Sequence, residues 1–121
     1  MLGTLYITHP DCSLHNMRSW HPESAKRLEA IHDRLCATDL IWCLRAMDAP
    51  QATEEDILSC HDAEYINFIK SNIPTEGYFN IDNEETSLNP YTWRAALRAA
   101  GSGILAVDEI MNSRAKNAFC S

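Results

Sequence analysis

A short apolar segment, Leu-Gly-Thr-Leu-Tyr-Ile-Thr at residues 2–8, stops at His9-Pro10, and a helical pattern and a second apolar segment follow it. That order constrains the chain more than any other feature. Residues 2–8 are β-rich and end where a proline interrupts the ladder. Leu28, Ile31 and Leu35 recur at helical spacing. They predict a helix over residues 22–37, with Pro22 as its first residue and Glu23 in the first turn, where the helix dipole favours an acid. Residues 41–47 read as a second strand. A strand, helix and strand of these lengths form a parallel pair joined by a right-handed crossover. The expected fold class is α/β, a small parallel sheet of two to three strands with flanking helices.

The rest of the chain extends this unit. Thr53-Glu54-Glu55-Asp56 has the form of a capping box, weakened by Asp at its last position. Asp62 can cap a second short helix carrying Tyr65, Phe68 and Ile69. Residues 73–89, with Pro74, Gly77 and the acidic run Asp82-Asn83-Glu84-Glu85, read as a loop long enough to suggest a role beyond connection. Asn89-Pro90 then opens a helix over residues 90–112. Its Trp93, Leu97, Ala100, Ile104, Val107 and Met111 form one apolar stripe, expected to be core, while Gly101 and Gly103 keep the neighbouring surface thin. Residues 117–120 look like a third strand. At 121 residues, with no repeat or linker, residues 1–121 read as a single domain.

Charge and composition exclude several classes. Seventeen acids against ten bases give −7, and the bases are scattered, so nucleic acid is not an expected partner. Apolar runs reach only about four residues, so no membrane span is expected. The first residues lack a basic region and a long apolar core, so the expected location is cytoplasmic. Five cysteines without a Cys-x-x-Cys pair read as reduced, structural thiols.

Four residues between 9 and 21 could hold a metal: His9, Cys12, His15 and His21. Zinc takes four tetrahedral N or S ligands, and four donors within thirteen residues can wrap one ion. The spacing is not a standard zinc pattern, and Pro10-Asp11 fits a turn equally well. His61 at a helix junction reads as a capping or packed histidine. Arg27 stands four residues after Glu23 and fits a surface ion pair with it. The acidic run 82–85 fits a solvated loop.

The ordered set Ile7-Thr8-His9-Pro10-Asp11-Cys12-Ser13-Leu14-His15, His21-Pro22-Glu23, Arg27-Leu28, His61-Asp62-Ala63-Glu64-Tyr65, Ala95–Gly101 and Asn117-Ala118-Phe119 resembles the N-terminus of the histone deacetylase superfamily. The likeness is greatest to its bacterial and class II-like deacetylases and acetylpolyamine amidohydrolases. The resemblance implies a truncated arginase/deacetylase-like fold, with this chain matching the N-terminal third of the domain. It implies that Arg27 lines the channel through which the acyl product leaves. The His9–His21 loop then forms one side of the substrate tunnel, and Asp82, Glu84 or Glu85 a substrate-binding rim. Family chemistry is zinc-dependent amide hydrolysis, using an Asp-x-His pair, a distant Asp and a His-His pair. Neither dipeptide pattern occurs in these 121 residues.

The resemblance therefore implies that the zinc-touching residues lie beyond Ser121. No catalytic residue and no zinc are expected in this chain, and it should be inactive alone. The expected partners are a second copy, as a homodimer through an incomplete sheet, or a complementary C-terminal fragment. Two other readings stand beside this one: a stand-alone interaction or oligomerisation module, and a small metal-binding domain built on the His9–His21 loop.

Overall fold

The computed structural model describes residues 2–83 and 85–121. Strand β1 (Thr4–Thr8) lies between β2 (Leu44–Asp48) and β5 (Asn117–Cys120), and both pairings are parallel. Thr4 faces Leu44 on one side and Asn117 on the other. The central strand is the most buried: Leu5, Tyr6 and Ile7 are shielded on both faces, as a continuous apolar run in a parallel sheet requires. Strands β2 and β5, at the two edges, are mostly exposed.

Helix α1 (Lys26–Ala37) follows β1 and starts four residues later than the sequence predicts. Pro22 and Glu23 are not its first turn, because His21 Nδ1 already accepts the Glu23 backbone N–H at 3.1 Å and holds that stretch as a loop. The second apolar segment also divides. Asp39 takes a left-handed conformation (φ 60°), and Leu40–Cys43 coil into a 3-10 turn before the strand begins at Leu44. Helix α2 (Glu54–Leu58) opens with a complete capping box between Thr53 and Asp56. Helix α3 (Ala63–Ser71) buries Ile66 and Ile69. The segment 73–89 is not one loop. It contains an antiparallel hairpin, β3 (Phe79–Asp82) and β4 (Thr86–Leu88), with a register shift between Asn80 and Asp82.

Helix α4 (Thr92–Met111) turns a different face inward than its large apolar residues suggest. Ala95, Gly101, Ser102, Ala106 and Glu109 are buried, whereas Val107 is 59% and Met111 77% exposed. Gly101 sets this orientation. A Cβ there would stand 1.8 Å from the Pro50 carbonyl oxygen, so only glycine lets the 49–52 loop lie against the helix. The loop is then tied on both sides of that contact: Ala52 N–H donates to Leu97 O (2.9 Å), and Arg98 Nη1 donates to Ala49 O (2.9 Å). A Cβ on Gly103 would meet nothing within 4 Å, so the close packing expected of both glycines belongs to Gly101 alone.

The core is small. Leu5, Ile7, Ala49, Ala106 and Ala115 form it, with Met47, Leu105 and Ala118 packed against it. Helix α4 ends in a Schellman motif in which the Arg114 N–H bonds Glu109 O, the Ser113 N–H bonds Ile110 O, and Ser113 is left-handed at φ 58°. Glu109, buried at that end, is satisfied by Arg114 and Arg45. All five cysteines are free, and only Cys12 is even half-buried, so four of the thiols are exposed rather than structural. Among the described residues, no helix is long and apolar enough to cross a membrane.

Candidate functional site

In open α/β sheets, ligands bind in the crevice beyond the carboxyl ends of the strands. Here the segments leaving β1 and β5 meet the first turns of α1 and α4 around a cavity of about 270 Å³. Its wall includes Cys12 and His15 from the loop after β1, Glu23 and Arg27 beside α1, the small face Ala95, Ala96 and Ala99 of α4, and Ser121. Of the residues singled out in the sequence, the cavity brings together Cys12, His15 and Arg27. His9 and His21 are not in its wall.

The loop is held by Asp11, which sits on a 3-10 turn (Pro10–Ser13) and is only 6% exposed. Arg98 Nε donates to its Oδ2 at 3.0 Å and Arg94 Nη2 to its Oδ1 at 2.8 Å. These bonds, with that from Arg98 foremost, hold the carboxyl below its usual range against the opposing effect of burial. The same Arg98 fixes the 49–52 loop, so one guanidinium joins the segments leaving β1 and β2 to α4. Arg94 and Arg98, four residues apart on the alanine-rich first half of α4, are the sequence signal that could have revealed this clamp. Their partner lies more than eighty residues away, and no local pattern names it.

Each histidine of the loop has a separate task. The Asp11 N–H donates to His9 Nδ1 at 3.1 Å. His15 Nδ1 lies 2.8 Å from Thr92 Oγ1, and that hydroxyl donates in turn to Asn89 Oδ1. Burial lowers the His15 pKa, keeping the ring neutral. His21 Nε2 bonds the Glu85 carbonyl at 3.0 Å, which ties the loop to the β3–β4 turn. Burial raises the Cys12 thiol pKa, which makes it a poor nucleophile and a poor metal ligand at neutral pH. Among the described residues, no three His, Cys, Asp or Glu side chains converge to hold an ion. The four donors of the loop diverge, so His9, Cys12, His15 and His21 do not form the four-ligand zinc site that their residue types suggested.

Arg27 is exposed along the cavity wall and has no acidic partner within ion-pair distance among the described residues. The pair with Glu23 does not form, because Glu23 precedes the helix. Asp82 and Glu85, expected at a substrate-binding rim, lie at the β3–β4 turn. Asp82 Oδ1 accepts the Thr86 N–H at 2.8 Å, and its carbonyl accepts the Glu85 N–H. Glu84 lies outside the described residues. Among the described residues, the cavity wall thus offers the unpaired Arg27 guanidinium, the Glu23 carboxylate, the hydroxyls of Ser24, Thr92 and Ser121, the Cys12 thiol and an alanine face.

Comparison with known proteins agrees with this fold. The histone deacetylase domain model matches residues 21–121. A probable deacetylase of Archaeoglobus fulgidus is 28% identical over 115 residues, covering 93% of this chain and 31% of its own length. A histone deacetylase-like amidohydrolase of Pseudomonas aeruginosa is 29% identical over 98 residues, covering 81% of this chain and 24% of its own. The crystal structure of the HDA15 HD domain superposes with a TM-score of 0.87 at 24% identity, over 98% of this chain and 34% of that one, a likeness of fold. The chain thus spans about a third or less of these relatives. With four-fifths of its residues inside the domain match, the chain belongs to the histone deacetylase domain family.

Proposed function

We propose that this chain is the N-terminal part of a zinc-dependent deacetylase-like amidohydrolase and does not hydrolyse amides by itself. The observation that carries the reading is the cavity at the carboxyl ends of β1 and β5, where Arg27, His15 and Cys12 meet the alanine face of α4. A volume of about 270 Å³ is just below the usual range for ligand sites. It suits a short carboxylate leaving the reaction, resting on the Arg27 guanidinium. Hydrolysis needs a metal with an open position and an acid–base pair, and neither Asp-x-His nor His-His occurs in the sequence. Those groups come from a complementary C-terminal part.

The test is hydrolysis of an acetyl-lysine or acetylpolyamine reporter with added zinc. The 121-residue chain alone should match a heat-killed control. Mixed with a C-terminal fragment of a relative that carries the missing motifs, it should gain activity that Arg27→Ala reduces. Chelator-sensitive hydrolysis by the chain alone would overturn the proposal. A second reading, an oligomerisation module, is favoured by one observation: β5 is an edge strand with Phe119 and Cys120 exposed. Unpaired edges template pairing with another chain, and deletion of residues 117–121 should then dissociate a homodimer seen by light scattering.

A further inference from the structure

We propose that His32 and Cys36 form half of a metal site that two copies of this chain complete around one zinc-class cation. The two side chains lie one turn apart on α1, both exposed, with Cys36 Sγ 3.6 Å from His32 Nε2. A tetrahedral zinc with Zn–S near 2.3 Å and Zn–N near 2.0–2.1 Å puts its sulfur and nitrogen donors about 3.6 Å apart. The pair therefore already has the donor separation that the ion demands. The cation takes the place of the proton between the two atoms. The thiol gives that proton to solvent, and the imidazole binds through neutral Nε2.

The electrostatic setting favours a cation. Cys36 is in the last turn of α1, at the negative end of the helix dipole. Glu29 stands one turn before His32, and Asp39 follows the helix within three residues of Cys36. Arg34, the one base in the last turn, is two residues from each ligand and so points away from their face.

The site is incomplete in one chain. Among the described residues no third His, Cys, Asp or Glu joins the pair, whereas structural zinc takes four ligands. A two-fold axis through the ion supplies the other two and makes a Cys₂His₂ centre, the closed form for this metal. The neighbouring surface suits such a contact. Leu40 and Trp42, on the 3-10 turn packed against α1, are 52% and 83% exposed and leave apolar surface next to that helix. This inference is independent of the deacetylase reading, since the pair lies outside the cavity wall.

The experiment uses the whole chain, reduced and stripped with a chelator, titrated with Zn²⁺ alone and followed by sedimentation. In parallel, Co²⁺ reports tetrahedral thiolate coordination by its absorption. The expected result is a dimer saturating at one metal per two chains and reversed by chelator. Cys36→Ser and His32→Gln should each abolish both the dimer and the cobalt spectrum while keeping the wild-type circular dichroism. Cys43→Ser should bind as wild type. No change of mass with excess zinc, a monomer binding one metal per chain, a dimer indifferent to chelator, or loss of binding in Cys43→Ser would each overturn the proposal.

Discussion

Gly101→Ala and Gly103→Ala are the same substitution, two residues apart on one helix, and they should move stability in opposite directions. In a helix interior alanine is favoured over glycine by about 1 kcal/mol. At Gly103 nothing stands within 4 Å, so that gain is realised almost whole. At Gly101 the new Cβ would lie 1.8 Å from Pro50 O and 2.7 Å from Pro50 C. Both are backbone atoms, and the 49–52 loop must retreat by about 1.6 Å to restore ordinary contact. That retreat breaks the Ala52 N–H to Leu97 O bond and the Arg98 to Ala49 O bond, each 2.9 Å. Losing one neutral and one charge-assisted hydrogen bond costs about 3 kcal/mol, which leaves Gly101→Ala destabilised by about 2 kcal/mol after the helix gain. Urea unfolding followed by circular dichroism reads the difference as separated midpoints at unchanged slope. The two variants should differ by about 3 kcal/mol, or roughly 10 °C in Tm. A Gly101→Ala midpoint at or above wild type would refute the reasoning, as would a Gly103→Ala midpoint that fell equally far.

Arg98→Ala should lower the urea midpoint several times more than Arg94→Ala, because Arg98 alone bonds both Asp11 and the Ala49 carbonyl; equal effects would contradict the clamp. Ser113→Gly should stabilise by about 0.5–1 kcal/mol, since glycine adopts the left-handed Schellman position without the steric cost a side chain carries there. Acid should unfold the protein in two stages. The folded-state pKa values of His15, Asp11 and Glu109 are all depressed, so their contributions are whole above the unfolded values and lost as pH falls through the folded ones. The midpoint should therefore decline first below about pH 6.5 and again below about pH 4. His15→Gln should remove the upper stage, and persistence of that stage would assign it elsewhere.

The parallel sheet was legible because its strands carry compact apolar runs between turn signals. Asn117–Cys120 matches the expected span, and β1 matches within two residues. What escaped the sequence was set at long range or by backbone conformation. Ile41 and Trp42 look like strand residues, yet the left-handed Asp39 turns them into a coil. Strands β3 and β4, four and three residues long, are too short for periodicity to mark. The stripe Trp93–Met111 misled because size was read as burial. Ser102 and Glu109 are inside because a hydrogen bond and two guanidinium groups satisfy them, and Gly101 needs the nearby loop. Of the site, Cys12, His15 and Arg27 were readable as a loop and a helix start. The Asp11 clamp was not, because its arginines lie at the other end of the chain.

The position of β1 has a consequence for how the protein is made. The middle strand of the sheet is synthesised before both of its partners, and β5 follows β2 only after α2, α3, the hairpin and α4. At 5–20 residues per second, roughly 4–15 s separate the completion of β2 from that of β5. During that interval β1 can pair on one side only, and Leu5 and Ile7 have neither Ala106 nor Ala115 against them. Such a nascent ribbon is a natural client for holdase chaperones. Its release should depend on emergence of the Asn117–Cys120 segment, so that arrest peptides placed before and after residue 117 would report low and high folding force.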